Sequence, residues 1–431
     1  MSVEFLLCLG SLFVLAGIGV PVAYAILVSA IIYVGAGGQG IGIVGKNLLD
    51  GLYQSFLLLA VPLFIVAANI MNAGTISDRL LGFCVAVVGR FRGGLGHVNI
   101  MASLIFSGMS GSAVADAAGI GRIIIDMMRK DGRFPPGYAA AVTAASATIG
   151  PIIPPSIPMV LYALVSNASI GYLFLGGILP GLVMGAVLMG MNAWLAHRRG
   201  FAVEAPVPLR ALPRKTANAF PALLMPAILL YGIYGGVTTP TEAAAVAAFY
   251  ALVLAALFYR ALSLRAFYGI LVESARSSAA VGLVIGGALI LNYIVASENI
   301  PNLLAGWLVA IDVQPLVFLL CVNLLLLVLG CFLDATTIIL VIIPLFLPTC
   351  QNLGIDLVHF GVIAVVNCMI GLITPPYGIL LFVINAVTGI SLREIIAEVW
   401  PFLGVLVAAL LVMILVPGIV LFLPRLAGYE G

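Results

Sequence analysis

Long apolar runs separated by short polar joints fill this chain almost from end to end. They fall at about 3–34 (interrupted at Gly19-Val20-Pro21), 55–73, 79–90, 98–128, 138–167, 170–196, 219–236, 240–260, 275–296, 302–311, 315–348, 358–388 and 394–423. A helix needs about 20 mostly apolar residues to cross a bilayer, so the pattern predicts a polytopic, all-α membrane protein. Two runs are too long for one span and too short for two. In 98–128 the middle is broken by Gly108, Ser110, Gly111, Ser112 and Gly119, and in 315–348 by Gly330-Cys331-Phe332-Leu333-Asp334. Each predicts a re-entrant helical hairpin that enters, turns on small residues and returns.

Two further runs predict broken helices. Gly150-Pro151-Ile152-Ile153-Pro154-Pro155 interrupts 138–167, and Gly371-Leu372-Ile373-Thr374-Pro375-Pro376 interrupts 358–388. Proline removes a backbone donor and clashes with the preceding turn. Carbonyls freed at membrane depth persist only where protein or a water-lined cavity satisfies them. The two breaks stand 221 residues apart (371 − 150), and Pro180 and Pro401 keep that offset. Gly108 and Gly330 stand 222 apart; Ile76, Leu80 and Gly82 match Ile300, Leu304 and Gly306 at 224; Val20-Pro21 resembles Thr239-Pro240. The order and the slowly drifting offset argue for duplication: a first repeat over 1–196, a connector at 197–218 and a second repeat over 219–431. Paired broken helices in two halves point to a transporter's binding site.

Composition agrees: 63% of the 431 residues are hydrophobic and 8% charged, against about 25% charged in a soluble domain. The net charge of +2 rests on basic residues scattered at segment ends, which gives no footprint for nucleic acid. The six cysteines show no CxxC or metal spacing and read as small core hydrophobes. The first run, with Glu4 in place of a basic n-region, reads as a retained span. Basic residues orient the halves by the positive-inside rule. Arg90, Arg92, His97, Arg122, Arg129, Lys130 and Arg133 flank the first hairpin, and Arg198, Arg199, Arg210, Arg214 and Lys215 fill the connector, so both should be cytoplasmic. The second hairpin is flanked by Asp312 and by 349–357, which hold no Lys or Arg; its base should face the other side. The halves therefore read as inverted. Segments 38–53 and 260–273 read either as interfacial helices or as ordinary amphipathic loops.

Two solitary acids carry the candidate chemistry. Asp116 is the only full charge between Arg92 and Arg122, and Asp334 the only one between Asp312 and Asp356. A carboxylate at membrane depth is by default a functional hypothesis. Ser107, Ser110 and Ser112 surround the first, Thr336 and Thr337 the second. Hydroxyls, a carboxylate and unwound carbonyls suit Na⁺, while an acid just past a tip also suits helix capping; the two roles are compatible. Gly150 and Gly371 can offer carbonyls at the breaks. Thr143, Ser146, Thr148, Asn367 and Thr374 stand nearby, although a Thr in an apolar helix usually bonds its own carbonyls. The transported molecule is expected against Ser112, Pro154, Pro155, Ser156, Thr336, Pro375 and Pro376. Glu242, in Thr239-Pro240-Thr241-Glu242, reads as a helix cap. With no HExxH and no GxxxxGK[ST], zinc-peptidase and P-loop ATPase chemistry have no support, and no organic cofactor is indicated.

The segment 106–118 (Phe-Ser-Gly-Met-Ser-Gly-Ser-Ala-Val-Ala-Asp-Ala-Ala), Pro154-Pro155-Ser156, Thr239-Pro240-Thr241-Glu242-Ala243-Ala244-Ala245, Phe332-Leu333-Asp334 and Thr374-Pro375-Pro376 occur in one order along the chain. Together they resemble the large membrane subunit of tripartite ATP-independent periplasmic (TRAP) transporters, the DctM type. The resemblance implies Na⁺-driven import of an organic anion across the bacterial inner membrane by an elevator mechanism. It implies a periplasmic substrate-binding protein as partner, and a small membrane subunit as a separate chain. It puts Na⁺ near Ser107, Ser110, Asp116 and Gly150 in the first half, and near Gly330, Asp334, Gly371 and Thr374 in the second. Sialic acid, C4-dicarboxylates and other acids all remain open as the carried anion. The alternatives are a stand-alone anion/Na⁺ symporter or antiporter of related architecture, and an intramembrane enzyme with Asp116 and Asp334 as its dyad.

Overall fold

The computed structural model describes residues 2–38, 40–54, 56–72, 75–201, 210, 212–303, 306 and 313–431, and among them every regular element is helical. Asp312, Leu304, most of the run 302–311 and the middle of the 197–218 connector lie outside the described residues. Among the described residues five helices are long and apolar enough to cross a membrane: Ile170–Arg198, Leu212–Tyr234, Pro240–Phe258, Leu264–Ser297 and Leu392–Leu415.

The helices sort into two packing groups. In one, Ala60–Asn72 lies along Pro240–Val253, Leu212–Tyr234 lies along Thr75–Val88, and Leu264–Ser297 packs on Val22–Ala36, Gly42–Gln54 and Ala60–Asn72. In the other, Pro136–Ala147 lies along Leu392–Leu415, Pro315–Gly330 along Leu357–Gly371, and Ile170–Arg198 on Gly418–Leu426. The groups meet where Gly94–Ser110 touches Ala60–Asn72 and Leu212–Tyr234, and where 335–342 touches Leu264–Ser297. Arg199 ties the halves at one end, 2.7 Å from Glu398.

Both broken helices are present. Pro136–Ala147 and Ile157–Ser166 flank the first break, Leu357–Gly371 and Ile379–Thr388 the second. Both Pro-Pro peptides are cis. Pro180 and Pro401, by contrast, sit inside continuous helices. The hairpins also form: Gly94–Ser110 turns at Gly111-Ser112 and returns through 113–129, while Pro315–Gly330 turns at 331–334 and returns through 335–345. After each tip comes one short helical turn and then a π-helical turn, at Ala117–Gly121 and Ile338–Ile342.

Two expectations change. The first run is not one span but two helices, Val3–Gly17 and Val22–Ala36, packed on each other across the Gly19-Pro21 break. Segment 260–273 is no separate interfacial helix; from Leu264 it forms the first turns of the 34-residue helix Leu264–Ser297, with Ser263 as N-cap. Segment 38–53 does contain a helix of its own, Gly42–Gln54. The Glu242 cap is as read: Thr239 accepts from the Glu242 amide at 3.3 Å while its own amide donates to Glu242 Oε2 at 2.7 Å. All six cysteines are free thiols, and all but Cys321 are buried.

Candidate functional site

The first half builds a closed acidic pocket. Gly94–Ser110 ends at Gly111, which adopts φ +58° and lies so near Pro155 that a Cβ would sit 2.6 Å from its carbonyl oxygen. The positive φ and the close approach both call for glycine. Ser112 then turns extended and caps the short helix Ala113–Asp116, accepting from the Ala115 amide at 3.3 Å. With that cap in place Asp116 is not needed as one, and its side chain makes no cap bond. Its Oδ1 accepts from the Ser110 hydroxyl instead. Asp116 is only 5% exposed, and Oδ2 has no hydrogen-bond partner. That oxygen lies against the bare Cα of Gly150, where any Cβ would collide with it.

Behind Asp116 is a cavity of about 10 Å³, lined by Asn99, Ser103, Asp116, Gly121 and Thr143 among others. This is room for the centre of one water-sized particle. Polar side chains continue from it between the hairpin arm and the broken helix. Asn99 Nδ2 donates to Thr143 Oγ1 at 2.5 Å, and Ser103 donates to Ser146 Oγ at 2.9 Å. Asn99 and Ser103 are absent from the sequence-derived set. Their signal was a polar residue on every turn of an apolar arm, at 99, 103 and 107. Ser107 itself bonds the Leu104 carbonyl at 2.6 Å, and Thr143 and Thr148 bond Ala139 and Ala145 at 2.7 and 2.6 Å.

The second half is built differently. Asp334 is an N-cap, accepting from the Thr337 amide at 3.1 Å and the Thr337 hydroxyl at 2.5 Å. Aligned by their caps, the tips place Ser112 opposite Asp334, 222 apart, with the π turns 221 apart. Asp116 falls opposite Thr337 or Ile338 in that alignment, so the two aspartates do not hold matching positions after their tips. Gly330 and Gly371 meet backbone to backbone: a Cβ on Gly371 would sit 2.7 Å from Gly330 Cα and 3.1 Å from its carbonyl oxygen. Thr374 donates its hydroxyl to the Ile370 carbonyl at 2.8 Å and its amide to the Gly371 carbonyl at 3.0 Å. Asn367, buried, donates to the Asn323 carbonyl at 2.6 Å, and its Oδ1 has no partner.

The halves interlock. Ile157–Ser166, past the first break, packs on 335–342 of the second hairpin, and Ile379–Thr388, past the second break, packs on 113–121 of the first. All four interruptions thus converge. Among the residues expected to face the transported molecule, Pro154, Pro155 and Ser156 are buried. Ser156 donates to the Pro151 carbonyl and accepts from the Met159 amide at 3.2 Å, so its hydroxyl serves the break. Ser112, Thr336 and Pro375 are half-buried and Pro376 is exposed.

The sequence model for the DctM component of tripartite ATP-independent periplasmic transporters matches residues 9–419. The chain belongs to this family. DctM proteins are transporter components rather than enzymes, integral to the inner membrane, which closes the intramembrane-enzyme alternative. The chain is 41% identical over 421 residues to the sialic acid TRAP transporter large permease protein SiaM of Vibrio cholerae, covering 97% of this chain and 98% of that one. It is 38% identical over 375 residues to the C4-dicarboxylate TRAP transporter large permease protein DctM of Pseudomonas aeruginosa, covering 87% and 88%. The isethionate TRAP transporter permease protein DctMQ of Oleidesulfovibrio alaskensis is 38% identical over 407 residues; the match covers 94% of this DctM chain but 64% of that longer protein. The fold is also similar to the crystal structure of the Alcanivorax borkumensis YdaH transporter, with TM-score 0.61 at 17% identity, covering 88% and 89% of the two chains.

Proposed function

We propose that this chain is the transport subunit of a Na⁺-driven importer of organic anions. The observation that carries the reading is Asp116: a buried carboxylate with one oxygen bonded to Ser110 and the other facing Gly150 without a partner. A buried charge left in that state is expensive, and a monovalent cation with carbonyl and hydroxyl ligands would relieve it. Ser110 and Asp116 supply the hairpin side of such a site and Gly150 the broken-helix side; in the second half the Gly330 and Gly371 backbones, with the Thr374 carbonyl, supply the equivalent carbonyl-rich junction. Neutralising Asp116 would hold tip and break together, which is how ion binding can favour a loaded carrier over an empty one.

The two packing groups suit an elevator, with the hairpins and broken helices as the moving body and the Ala60–Asn72, Leu212–Tyr234, Pro240–Phe258 and Leu264–Ser297 group as the frame. The repeats over 1–196 and 219–431 are read as inverted, with the first hairpin based on the cytoplasmic side. Sialic acid, C4-dicarboxylate and isethionate, named for the relatives, are all organic anions. A periplasmic binding protein would deliver the anion, and a separate small membrane subunit would complete the frame. The test is uptake of labelled N-acetylneuraminate or succinate into proteoliposomes holding both membrane subunits. Uptake should need an inward Na⁺ gradient and a periplasmic binding protein. Uptake of free substrate without the binding protein would favour the stand-alone symporter, and uptake indifferent to Na⁺ would sink the coupling.

A further inference from the structure

We infer that Phe332, Tyr377 and Phe382 form an aromatic wall against which the carried anion lays a saturated, C–H-rich face, so that the site takes bulky sugar-acid-type anions ahead of compact dicarboxylates. This deepens the transport reading and rests on it. The three rings run in series, with centroids 5.4 Å apart for Phe332–Tyr377 and 6.4 Å for Tyr377–Phe382. They are 56%, 57% and 42% exposed.

Exposed aromatic rings on a membrane protein ordinarily meet lipid. Here the backbone under two of them forbids it. Phe332 stands on the turn 331–334 and Tyr377 on the turn 372–378, both non-helical. Irregular backbone at membrane depth is tolerated only where it is buried in protein or lines a watery cavity, and Phe332, Pro376 and Tyr377 are exposed. The surface they share is therefore no lipid face, and on this inference it lines the aqueous route of the carried anion at the level of the breaks.

The first half shows what such a junction looks like when it is closed. Residues 148–156 are buried apart from half-buried Ile153, and 106–111 are buried. A Cβ on Gly108 would lie 2.5 Å from Pro226 in the helix Leu212–Tyr234, so the first tip is pressed against the frame. At the offsets 222 and 221, Phe332 takes the place of Ser110, and Tyr377 the place of Ser156. Hydroxyls that serve the closed junction of the first half are replaced by large rings at the open junction of the second. Ligand pockets are mostly apolar, with a few polar groups that fix orientation, and neighbouring aromatic rings contribute broad contact area. A sugar acid offers a matching C–H face, whereas a four-carbon dicarboxylate, charged at both ends, offers little.

The test is cysteine accessibility in proteoliposomes, in a Cys321→Ser background. Phe332→Cys and Tyr377→Cys should label with a membrane-impermeant maleimide, while Leu324→Cys, on the exposed outer face of Pro315–Gly330, should not. With Na⁺ present, N-acetylneuraminate at about four times its Kd should slow labelling about fivefold, by mass action, and succinate should slow it far less. Labelling at 332 and 377 as slow as at 324 would place the wall in lipid and overturn the proposal. So would labelling that N-acetylneuraminate leaves unchanged, and equal protection by succinate would overturn the substrate class. Protection by N-acetylneuraminate in protein that fails Na⁺-driven uptake would uphold the wall and count against the transport reading alone. Using both positions guards against one variant failing to fold.

Discussion

Asp116→Asn separates ion binding from structure because the two should move in opposite directions. The amide keeps the carboxylate's shape and can still accept from Ser110, but carries no charge. In the ion-free protein the aspartate holds a buried oxygen with no partner, a state that costs about 1–3 kcal/mol and more for a charged group. The variant should therefore melt no lower than wild type without Na⁺. For Na⁺ the loss is large. A unit charge at about 4 Å in an effective dielectric near 20 contributes about 4 kcal/mol; if desolvation offsets half, the remaining ~2 kcal/mol is about 30-fold in affinity. The assay is thermal unfolding of the detergent-solubilised protein across NaCl concentration, with choline chloride holding ionic strength constant. Wild type should gain stability with Na⁺ as a ligand does, and the midpoint of that gain should shift about 30-fold upward in Asp116→Asn. An unchanged midpoint would refute the assignment, and a collapse of the Na⁺-free melting temperature would show Asp116 to be a structural acid.

Further outcomes follow from other contacts. Gly371→Ala puts a methyl 2.7 Å from Gly330 Cα, well inside van der Waals contact. Two backbones must part, so destabilisation of about 1–3 kcal/mol is expected, read as a lower melting temperature together with weaker Na⁺-dependent stabilisation. Thr239→Ala removes one half of the capping box at Pro240–Val253 and should cost about 1 kcal/mol without altering Na⁺ dependence in the same thermal assay. Glu298 accepts from the Ser2 hydroxyl and amide, which hold its carboxyl below the usual range. A depressed folded-state pKa means stabilisation that is present above the ordinary carboxylate pKa and lost as pH falls through the depressed value. Glu298→Gln should accordingly loosen the start of Val3–Gly17 at neutral pH and make little difference in acid, measured by hydrogen exchange corrected for intrinsic rates.

The parts of the fold legible from the chain are those fixed by local backbone rules. Adjacent prolines break a helix wherever they stand, and a run between one and two membrane thicknesses has to turn back, so the breaks at 154–155 and 375–376 and both hairpins were open to reading. The roles of the two aspartates were not, because a cap is assigned by where the chain turns. The first turn falls at Gly111, which makes Ser112 the cap and releases Asp116; the second falls at 331–334, which makes Asp334 the cap. A shift of one helical turn between otherwise similar tips changes an acid from helix cap to solitary charge. Asn99 and Ser103 escaped notice for a related reason. Polar residues in an apolar arm gain meaning only once the broken helix is known to lie against them.

The asymmetry between the halves has a consequence for coupling. A duplicated sequence pattern would suggest two equal ion sites, yet among the described residues only the first half encloses an uncompensated carboxylate, and its tip is closed against Pro226. The second half meets as bare glycine backbones and opens beside an exposed aromatic series. If cation and anion settle in different halves, the contacts that reach from one half's break to the other half's tip are the crossed packing of Ile157–Ser166 on 335–342 and Ile379–Thr388 on 113–121, within a body also held by Pro136–Ala147 along Leu392–Leu415 and Ile170–Arg198 on Gly418–Leu426. Those two helices are the direct links for coupling, since each follows a Pro-Pro break and packs against the other half's tip. A substitution that loosens one crossing, away from both ligands, should weaken the dependence of anion binding on Na⁺ and, by linkage, the dependence of Na⁺ binding on the anion by the same factor.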